Sequence, residues 1–361
     1  MKIIVVYGGK SAEHEVSLLT AFSVIKEIYF EYYDVQPVYI TKEGEWLQGE
    51  PLTSPVAFKE ALRLTAGTTA KMATEQGQIS TGVIIEPSSL KQEDTVIFPL
   101  LHGPNGEDGT VQGLFEVLNM PYVGAGVLAS ACGMDKIVSK YLFQQAGIPQ
   151  VPFVAFSKSE YKQNDTAIFE RIEGTLIYPV FVKPANMGSS VGISKATTRE
   201  ELQQAIEVAL QYDRRIVVEQ GIEARELECA VLGNDDVNTS VVGEVVKTTS
   251  FYDYNEKYIN NTTELQIPAE VAPEIATQIR EYSQTAFRAI DGCGLTRCDF
   301  FLTEAGDIYI NEVNTMPGFT PFSMYPLLWE KTGIGYKDLV EELIQLALKR
   351  HEEKQEKSVG H

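Results

Sequence analysis

The sequence predicts an α/β fold with a doubly wound parallel sheet at the N-terminus and an α+β fold over the rest of the chain. Three observations support this fold class: a strand–helix–strand pattern in residues 2–40, antiparallel strand patterns in residues 227–247, and a β-hairpin pattern in residues 298–314. The first pattern is typical of domains in which a helix connects two parallel strands. The other two are typical of antiparallel sheets.

Composition limits the classes of function. The chain has 361 residues, 44% of them hydrophobic and 22% charged, which is ordinary for a globular protein with two or three domains. A formal net charge of -20 argues against nucleic-acid binding, because phosphate neutralisation requires basic patches. We expect no signal segment and no membrane span. The four cysteines lack metal-ligand spacing, which indicates reduced thiols and a cytoplasmic protein.

The N-terminal residues predict the start of the parallel sheet. Residues 2–7 predict a strand, Gly8 and Gly9 a turn, residues 17–29 a helix and residues 33–40 a second strand. Ligands of doubly wound sheets bind at the carboxyl ends of strands, so we expect a ligand near residues 8–16. The GGKS segment is not a phosphate-binding P-loop, because Ile4 occupies the position of the required first glycine.

The next segments predict an insertion and a second loop at the same edge. Residues 44–82 predict a peripheral insertion with one short helix near residues 58–64. Residues 95–101 predict a strand and residues 110–118 a helix, joined by a glycine-rich loop whose N–H groups could approach an anion. His102 in this loop is either structural or functional.

The middle of the chain predicts a phosphate-binding loop. A helix-rich segment over residues 122–147 precedes a strand at residues 178–183, which ends at Lys183. The loop of residues 184–192, PANMGSSVG, is rich in N–H and hydroxyl donors. Such a loop either folds over phosphates or is an ordinary surface hairpin. Residues 198–212 then predict a helix and residues 215–220 a strand.

Two further segments lack a clear sheet or core pattern. Residues 248–263 are polar and aromatic without periodicity, which predicts either a lid or a disordered loop. Residues 335–354 predict an amphipathic helix, and the charged sequence at its end predicts a solvated, frayed terminus.

The hairpin of residues 298–314 carries the strongest chemical signal. Its turn places Asp299 within a residue or two of Glu312, while Arg297 shares a face with Asp299 and Asn314 shares a face with Glu312. Two carboxylates and an amide oxygen are suitable ligands for Mg²⁺. Acidic pairs across hairpins are often solvated edges, but apolar neighbours make an uncompensated charge costly here. We therefore expect a positive partner at this site.

Eight segments carry a specific resemblance. They are, in chain order, GGKSAEHEVS, LHGPNGEDG, MDK, VKPANMGSSVGISK, EQG, FYDYNEKY, TRCDFF and INEVNTMPGF. This set resembles the D-alanine:D-alanine ligases of the ATP-grasp superfamily, and the likeness leaves out only residues 45–90 and the C-terminal tail. It implies a two-part ATP-grasp fold after the N-terminal domain, with a substrate-binding domain at 1–124, a central subdomain at 125–219 and a C-terminal subdomain at 220–361.

The resemblance implies a reaction and a set of nucleotide ligands. Such enzymes use ATP to convert one D-alanine to an acyl phosphate, which the amine of a second D-alanine attacks, for peptidoglycan precursor synthesis. By similarity, two Mg²⁺ ions, with Mn²⁺ as a possible substitute, are bound by Asp299, Glu312 and Asn314. The implied ATP-binding residues are Lys136, Lys183, Ser190, Glu219, Gln220, Glu226 and Lys257. Phe181, Ile216 and Phe301 are expected to line an adenine slot.

The resemblance also implies substrate contacts. Glu13 matches the carboxylate that pairs with the first D-alanine's ammonium group, with Ser189 and Tyr258 as its hydrogen-bond partners. His102 matches a residue near the first substrate's carboxylate. The remaining residues are implied to bind the reacting groups: Arg297 and the Gly318 N–H form an oxyanion hole, and Ser323 and Met324 contact the second D-alanine's carboxylate.

Three alternatives remain at this stage. A related ligase could use D-lactate or D-serine as acceptor, or the chain could be a non-catalytic module that binds a small ligand. Tyr258 favours D-alanine, because relatives that use D-lactate differ in this segment. The family resemblance also implies a homodimer.

Overall fold

The computed structural model describes residues 1–73, 79–246 and 264–356. The described residues form three β-sheets of six, four and five strands. Helices cover these sheets, and none of the described helices combines the length and apolar character that a membrane span requires.

The six-stranded sheet belongs to the N-terminal domain. Its elements, in chain order, are β1 (Lys2–Gly8), α1 (His14–Glu27), β2 (Asp34–Ile40), β3 (Trp46–Gln48), β4 (Thr65–Ala66), β5 (Thr81–Ile84), β6 (Thr95–Leu100) and α2 (Thr110–Leu118). The strand order is β4-β5-β3-β2-β1-β6, and β1 pairs in parallel with both β2 and β6.

Alternation along β1 explains why helices cover both faces of this sheet. Ile3 and Val5 pack in the same core cluster as Leu18 of α1, whereas Ile4 packs in a separate cluster with Phe115 of α2. Successive side chains of a strand point to opposite faces, so a continuous apolar strand needs cover on both sides. The predicted doubly wound arrangement is confirmed.

The segment at residues 44–82 differs from the expected peripheral insertion. Two of its strands, β3 and β5, add to the sheet in antiparallel orientation, and β4 pairs in parallel with β5. Outside residues 74–78, which the structure does not describe, its helical residues are those of a short 3₁₀ turn at Lys59–Leu62. Leu47, Leu62 and Leu64 are buried in the main core. Strands of two to four residues are too short to show periodicity, so the sequence pattern did not indicate them.

The four-stranded sheet is antiparallel, with the order β7-β10-β8-β9. The elements from the end of the N-terminal domain through this sheet are α3 (Val127–Met134), α4 (Lys136–Gln145), β7 (Phe153–Ser157), α5 (Lys158–Gln163), α6 (Asp165–Thr175), β8 (Val180–Pro184), β9 (Ser194–Ala196), α7 (Arg199–Ala209) and β10 (Arg215–Gln220). Helices α3 and α4 precede the sheet and share a core cluster with Val313 of the C-terminal part, through Ala129 and Phe143. The domain boundary at residue 125 stays a prediction.

The five-stranded sheet is also antiparallel, with the order β13-β12-β11-β14-β15. The C-terminal elements are β11 (Arg225–Gly233), β12 (Val237–Val246), β13 (Glu264–Gln266), α8 (Pro273–Ala289), β14 (Gly294–Leu302), β15 (Ile308–Asn314), α9 (Met324–Thr332) and α10 (Tyr336–Glu356). Strands β14 and β15 form the predicted hairpin. Leu339 and Leu343 of α10 pack in the same core cluster as α1 residues, which joins the C-terminal part to the N-terminal domain.

Residues 352–356 at the end of α10 are exposed, as expected for a solvated terminus, but two basic side chains of this helix end contact the N-terminal domain. Arg350 donates hydrogen bonds to the carbonyl oxygens of Tyr122 and Gly124, and its guanidinium lies 4.4 Å from the Tyr122 ring centroid. Lys354 pairs with Glu116 of α2. The charged residues therefore join this helix to the segment that leaves the N-terminal domain.

Arg350→Ala is expected to lower the free energy of unfolding by about 1–3 kcal/mol, because the hydrogen bonds from its guanidinium group to two backbone carbonyl oxygens are lost. Chemical denaturation measures this change. The matched control is Lys349→Ala, whose side chain is 57% exposed, and it should change stability by less than about 0.5 kcal/mol. Equal effects of the two substitutions would show that the Arg350 contacts contribute nothing.

Candidate active site

A cavity of about 290 Å³ lies where the N-terminal domain meets the other two sheets. Residues distant in the sequence line it. Those that the sequence had singled out are Glu13, His102, Lys136, Phe181, Lys183, Ser189, Ser190, Glu219, Gln220, Glu226, Arg297, Asp299, Phe301, Glu312, Asn314 and Gly318. The structure therefore brings most of the predicted site residues together. Lys257 and Tyr258, and with them the proposed lid, lie outside the described residues.

Glu13 and Ser189 form a contact between the N-terminal domain and the loop of residues 184–192, which we call the glycine–serine loop. Ser189 donates its hydroxyl hydrogen to Glu13 Oε1 over 2.6 Å. The other oxygen, Oε2, lies 2.7 Å from the place where a β-carbon on Gly103 would be, and Gly103 has a φ of 77°. A side chain at position 103 would therefore displace Glu13. The carboxylate is held from two sides at the cavity wall.

His102 is 4% exposed and lies between a carboxylate and a hydroxyl group. Its Nδ1 lies 3.2 Å from Glu107 Oε1, and its Nε2 lies 3.2 Å from Thr20 Oγ1. Burial lowers the pKa of His102, but the hydrogen bond and charge of Glu107 outweigh burial, so the pKa is raised above its ordinary value. Asp108 instead accepts hydrogen bonds from the backbone of its own loop. Glu107 therefore orients His102.

The base of the glycine–serine loop is bound to the start of α4. Asp135 caps this helix by accepting from two backbone N–H groups and also bonds Asn186 of the loop at 3.2 Å. Lys136, the first residue of α4, donates to the carbonyl oxygen of Met187 over 2.7 Å, and its Nζ lies 3.7 Å from Glu312 Oε2. Asp135 and Lys136 thus hold the loop in place, and the ammonium group of Lys136 points toward the hairpin.

Glu219 is a buried carboxylate between two lysines. Lys183 lies 2.7 Å from its Oε2, and Lys140 lies 3.0 Å from its Oε1. Burial raises the pKa of Glu219, but the two ammonium groups outweigh burial and lower it to about 2. The resemblance implies that Glu219 contacts ATP, but both of its carboxylate oxygens already pair with lysines. Lys140 was not singled out by the sequence, because a lysine one turn after Lys136 resembles an exposed helical residue.

The structure divides the residues expected around the adenine. Phe181 and Phe301 line the cavity. Ile216 does not: it is fully buried with Val218 on the opposite face of β10. The expectation for Ile216 was wrong, because the alternation of a strand defines two faces without indicating which one meets the ligand. The Gln220 side chain accepts a hydrogen bond from the backbone N–H of Ile177 over 2.7 Å, and its own N–H donates to the Pro152 carbonyl oxygen over 2.9 Å, so only its carbonyl oxygen remains for a nucleotide.

The hairpin places its acidic groups around one arginine. Asp299 pairs in register with Glu312, and Arg297 pairs with Asn314. Arg297 donates from Nε and Nη2 to the two oxygens of Asp299, each over 2.7 Å. Its Nε also lies 2.8 Å from Glu228 Oε2. The positive partner expected for the acidic pair is Arg297, and Glu228 on β11 is an additional residue that the sequence had not indicated.

The donor set fits a hard divalent cation. Asn314 donates its Nδ2 hydrogen to Asp299 over 3.1 Å, which directs its amide oxygen away from that carboxylate. Within the described part of the chain, no group of three or more His, Cys, Asp or Glu residues has metal-binding geometry. The carboxylates of Asp299 and Glu312 and the amide oxygen of Asn314 are the types of ligand that Mg²⁺ takes. Because Mg²⁺ usually keeps water and substrate phosphates among its ligands, it does not need a site made entirely of protein groups.

The residues expected at the second amino acid lie at the start of α9, outside the cavity lining. The Ser323 Oγ atom lies 3.1 Å from where a β-carbon on Gly318 would be, and it accepts a hydrogen bond from the Thr320 N–H over 3.0 Å. Met324 is 5% exposed and its side chain packs in the main core. A side-chain contact by Met324 is therefore excluded, and only its main-chain N–H at the helix N-terminus remains for a carboxylate.

These features define a class of protein. Two lysines beside a glycine–serine loop, a cross-strand acidic pair and a fixed arginine suit the activation of a carboxylate by phosphoryl transfer, which depends on positioning and charge neutralisation. The two antiparallel sheets that enclose them, joined to a doubly wound domain, have the ATP-grasp ligase arrangement.

Comparison with known proteins identifies the family. The family model for the D-ala D-ala ligase N-terminus matches residues 2–125, and the model for the D-ala D-ala ligase C-terminus matches residues 142–345. The chain therefore belongs to the D-alanine–D-alanine ligase family.

Similar proteins agree with this membership. The D-alanine–D-alanine ligase of Enterococcus faecalis is 60% identical over 97% of this chain and 99% of its own length. That of Enterococcus hirae is 58% identical over 98% of each chain. Among solved structures, the VanG D-Ala:D-Ser ligase from Enterococcus faecalis has a TM-score of 0.81 and 36% identity, covering 96% of this chain and 99% of that one.

Proposed function

We propose that this enzyme joins two D-alanines into D-alanyl-D-alanine with ATP, for peptidoglycan precursor synthesis. The observation that carries the proposal is the 60% identity with the Enterococcus faecalis D-alanine–D-alanine ligase over 97% of the chain. The γ-phosphoryl group passes to the carboxylate of the first D-alanine, which gives ADP and an acyl phosphate. The neutral amine of the second D-alanine then forms the C–N bond and loses a proton, and phosphate leaves with the electron pair of the broken C–O bond.

The nucleotide is bound by the lysines and by the loop next to them. Lys136 and Lys183 supply positive charge at the cavity wall, and Ser190 with its neighbouring N–H groups covers the phosphates. Glu226 and the main chain after Glu219 bind the nucleoside, and Lys257 adds a further phosphate contact. Asp299, Glu312 and Asn314 would hold two Mg²⁺ ions, or Mn²⁺ in their place, which would supply charge neutralisation at the phosphate oxygens.

The first D-alanine lies against the N-terminal domain. Glu13 accepts a hydrogen bond from the substrate's ammonium group. The 2.6 Å hydrogen bond from Ser189 keeps the Glu13 carboxylate aligned for this contact. His102, which Glu107 and Thr20 hold through its two ring nitrogens, lies near the substrate carboxylate and keeps this wall of the cavity in place. These contacts leave the carboxylate of the first D-alanine directed toward the phosphate-binding side of the cavity.

The tetrahedral intermediate is stabilised by Arg297 and the Gly318 N–H. Arg297 is 7% exposed and held by two carboxylates, so its charge is fixed in place before the reaction. Preorganised donors of this kind act most strongly on charge that develops in the transition state. Ser323 and the Met324 N–H, at the N-terminus of α9, bind the carboxylate of the second D-alanine.

D-Alanine is the proposed acceptor in preference to D-serine or D-lactate. The D-Ala:D-Ser ligase structure from Enterococcus faecalis is only 36% identical to this chain, whereas the D-alanine–D-alanine ligase from the same organism is 60% identical. A non-catalytic binding module is not favoured by these similarities. The predicted homodimer and the predicted cytoplasmic location stay predictions.

The acceptor assignment is tested by assaying ADP release with D-alanine, D-serine and D-lactate as second substrate. The wild-type enzyme is expected to use D-alanine, and Tyr258→Phe is expected to gain turnover with D-lactate, because loss of the hydroxyl weakens the selection of an amine nucleophile. Wild-type turnover with D-serine or D-lactate in place of D-alanine would contradict the assignment. An unchanged preference in the Tyr258→Phe variant at neutral pH would remove Tyr258 from the account of specificity.

A further inference from the structure

Lys140 is a buried lysine to which the proposed function gives no role. It lies one turn after Lys136 on α4, its side chain is 1% exposed, and it does not line the cavity. Its Nζ lies 3.0 Å from Glu219 Oε1 and 5.3 Å from the centroid of the Phe153 ring. A buried ammonium group is costly unless an opposite charge compensates it. Glu219 supplies that charge.

Glu219 connects Lys140 to the cavity. Its second oxygen lies 2.7 Å from the Nζ of Lys183, which does line the cavity. One carboxylate thus lies between two ammonium groups, and the three side chains together carry one positive charge. If Lys140 were neutral, Glu219 and Lys183 would form a neutral pair. The cavity would then have one positive charge fewer to attract an anion.

Because Lys140, Glu219 and Lys183 are largely buried, the net charge of these three side chains strongly affects the cavity. Glu219 is 3% exposed, and the Lys183 side chain is 12% exposed. Water screens charges poorly at such depth, so the partner of a carboxylate strongly affects the field that a neighbouring ammonium group presents. The attraction of Lys183 for a phosphate therefore depends on whether Lys140 shares its carboxylate.

We propose that Lys140 is a positioning residue. By pairing with the Oε1 atom of Glu219 it neutralises that carboxylate, which leaves the charge of Lys183 available to the triphosphate. This inference rests on the proposed function, because it requires that the cavity bind ATP. Lys140 is therefore expected to strengthen binding of the phosphates and to leave binding of the nucleoside unchanged.

The test compares ATP with adenosine as ligands of the full-length protein. Lys140→Met, which keeps the unbranched side chain up to the Cε atom and removes the ammonium group, is expected to raise the Kd for ATP by about tenfold and to change the Kd for adenosine by less than about twofold. Isothermal titration calorimetry measures both constants. The matched control is Lys162→Met, an exposed lysine of α5 in the same subdomain, and it should leave both constants unchanged.

A second variant keeps the test decisive if Lys140→Met does not fold. Lys140→Gln retains a hydrogen-bond donor toward Glu219 without charge and is expected to weaken ATP binding in the same way. Unchanged ATP affinity in a folded variant would overturn the inference, and so would equal weakening of ATP and adenosine, which indicates a general loss of site structure. A wild-type protein that binds no ATP would instead contradict the proposed function and the inference with it.

Discussion

Replacing Arg297 with methionine is expected to lower kcat by about 10³-fold, while the KM for ATP changes by less than about fivefold. The substitution removes the fixed cation that the account places at the tetrahedral intermediate. It also leaves Glu228 and Asp299, which pair in register on neighbouring strands, without the guanidinium that separates their charges. Steady-state kinetics with D-alanine and ATP measure both parameters.

The loss of a buried charge partner also affects folding, so the Arg297 result needs a matched comparison. Arg297→Lys keeps the charge but loses the two-pronged contact with Asp299, and it should retain more activity than Arg297→Met. Arg288→Met, at an exposed position of α8, should have wild-type kinetics. A folded Arg297→Met enzyme with wild-type kcat would remove Arg297 from the mechanism.

Glu312→Gln is expected to lower kcat by about 100-fold and to raise the Mg²⁺ concentration for half-maximal rate by at least about tenfold. Glu312 pairs in register with Asp299 across the hairpin, and both side chains line the cavity. An amide in place of a carboxylate reduces the negative charge that attracts a divalent cation. The measurement is a titration of activity with Mg²⁺ at fixed ATP.

The control for the metal prediction lies on the same hairpin. Glu304 is exposed in the turn between the two strands, so Glu304→Gln should give the wild-type Mg²⁺ titration. If Glu312→Gln lowers kcat but leaves the Mg²⁺ titration unchanged, the carboxylate acts on Lys136, 3.7 Å away, and does not bind metal.

The parts of the fold that the sequence predicted correctly have strong local patterns. The hairpin that carries Asp299 and Glu312 is an example: an aromatic run, a β-branched run and a short polar turn indicate the two strands and the pairing of Asp299 with Glu312, although not the irregularity between Asp299 and Phe300. The helix and strands around Gly8 are another. By contrast, the short strands between residues 46 and 84 obtain their stability from the sheet they extend, so their own sequence carries little signal.

The parts of the site that sequence could not predict depend on partners distant in the chain. Lys140 matters because β10 brings Glu219 beside it, and Glu228 matters because β11 pairs with β14. Neither residue belongs to a local motif. Met324 shows the converse case, in which a residue has the expected position but its side chain packs into the core and leaves only its backbone for a ligand.

The cavity couples the cleavage of ATP to the formation of a bond between two D-alanines. The most direct measurement quantifies ADP, phosphate and D-alanyl-D-alanine from one reaction that contains ATP, Mg²⁺ and D-alanine. We expect equal amounts of the three products, and no ADP when D-alanine is omitted. ADP release that does not depend on D-alanine, or ADP release without the dipeptide, would contradict this coupling.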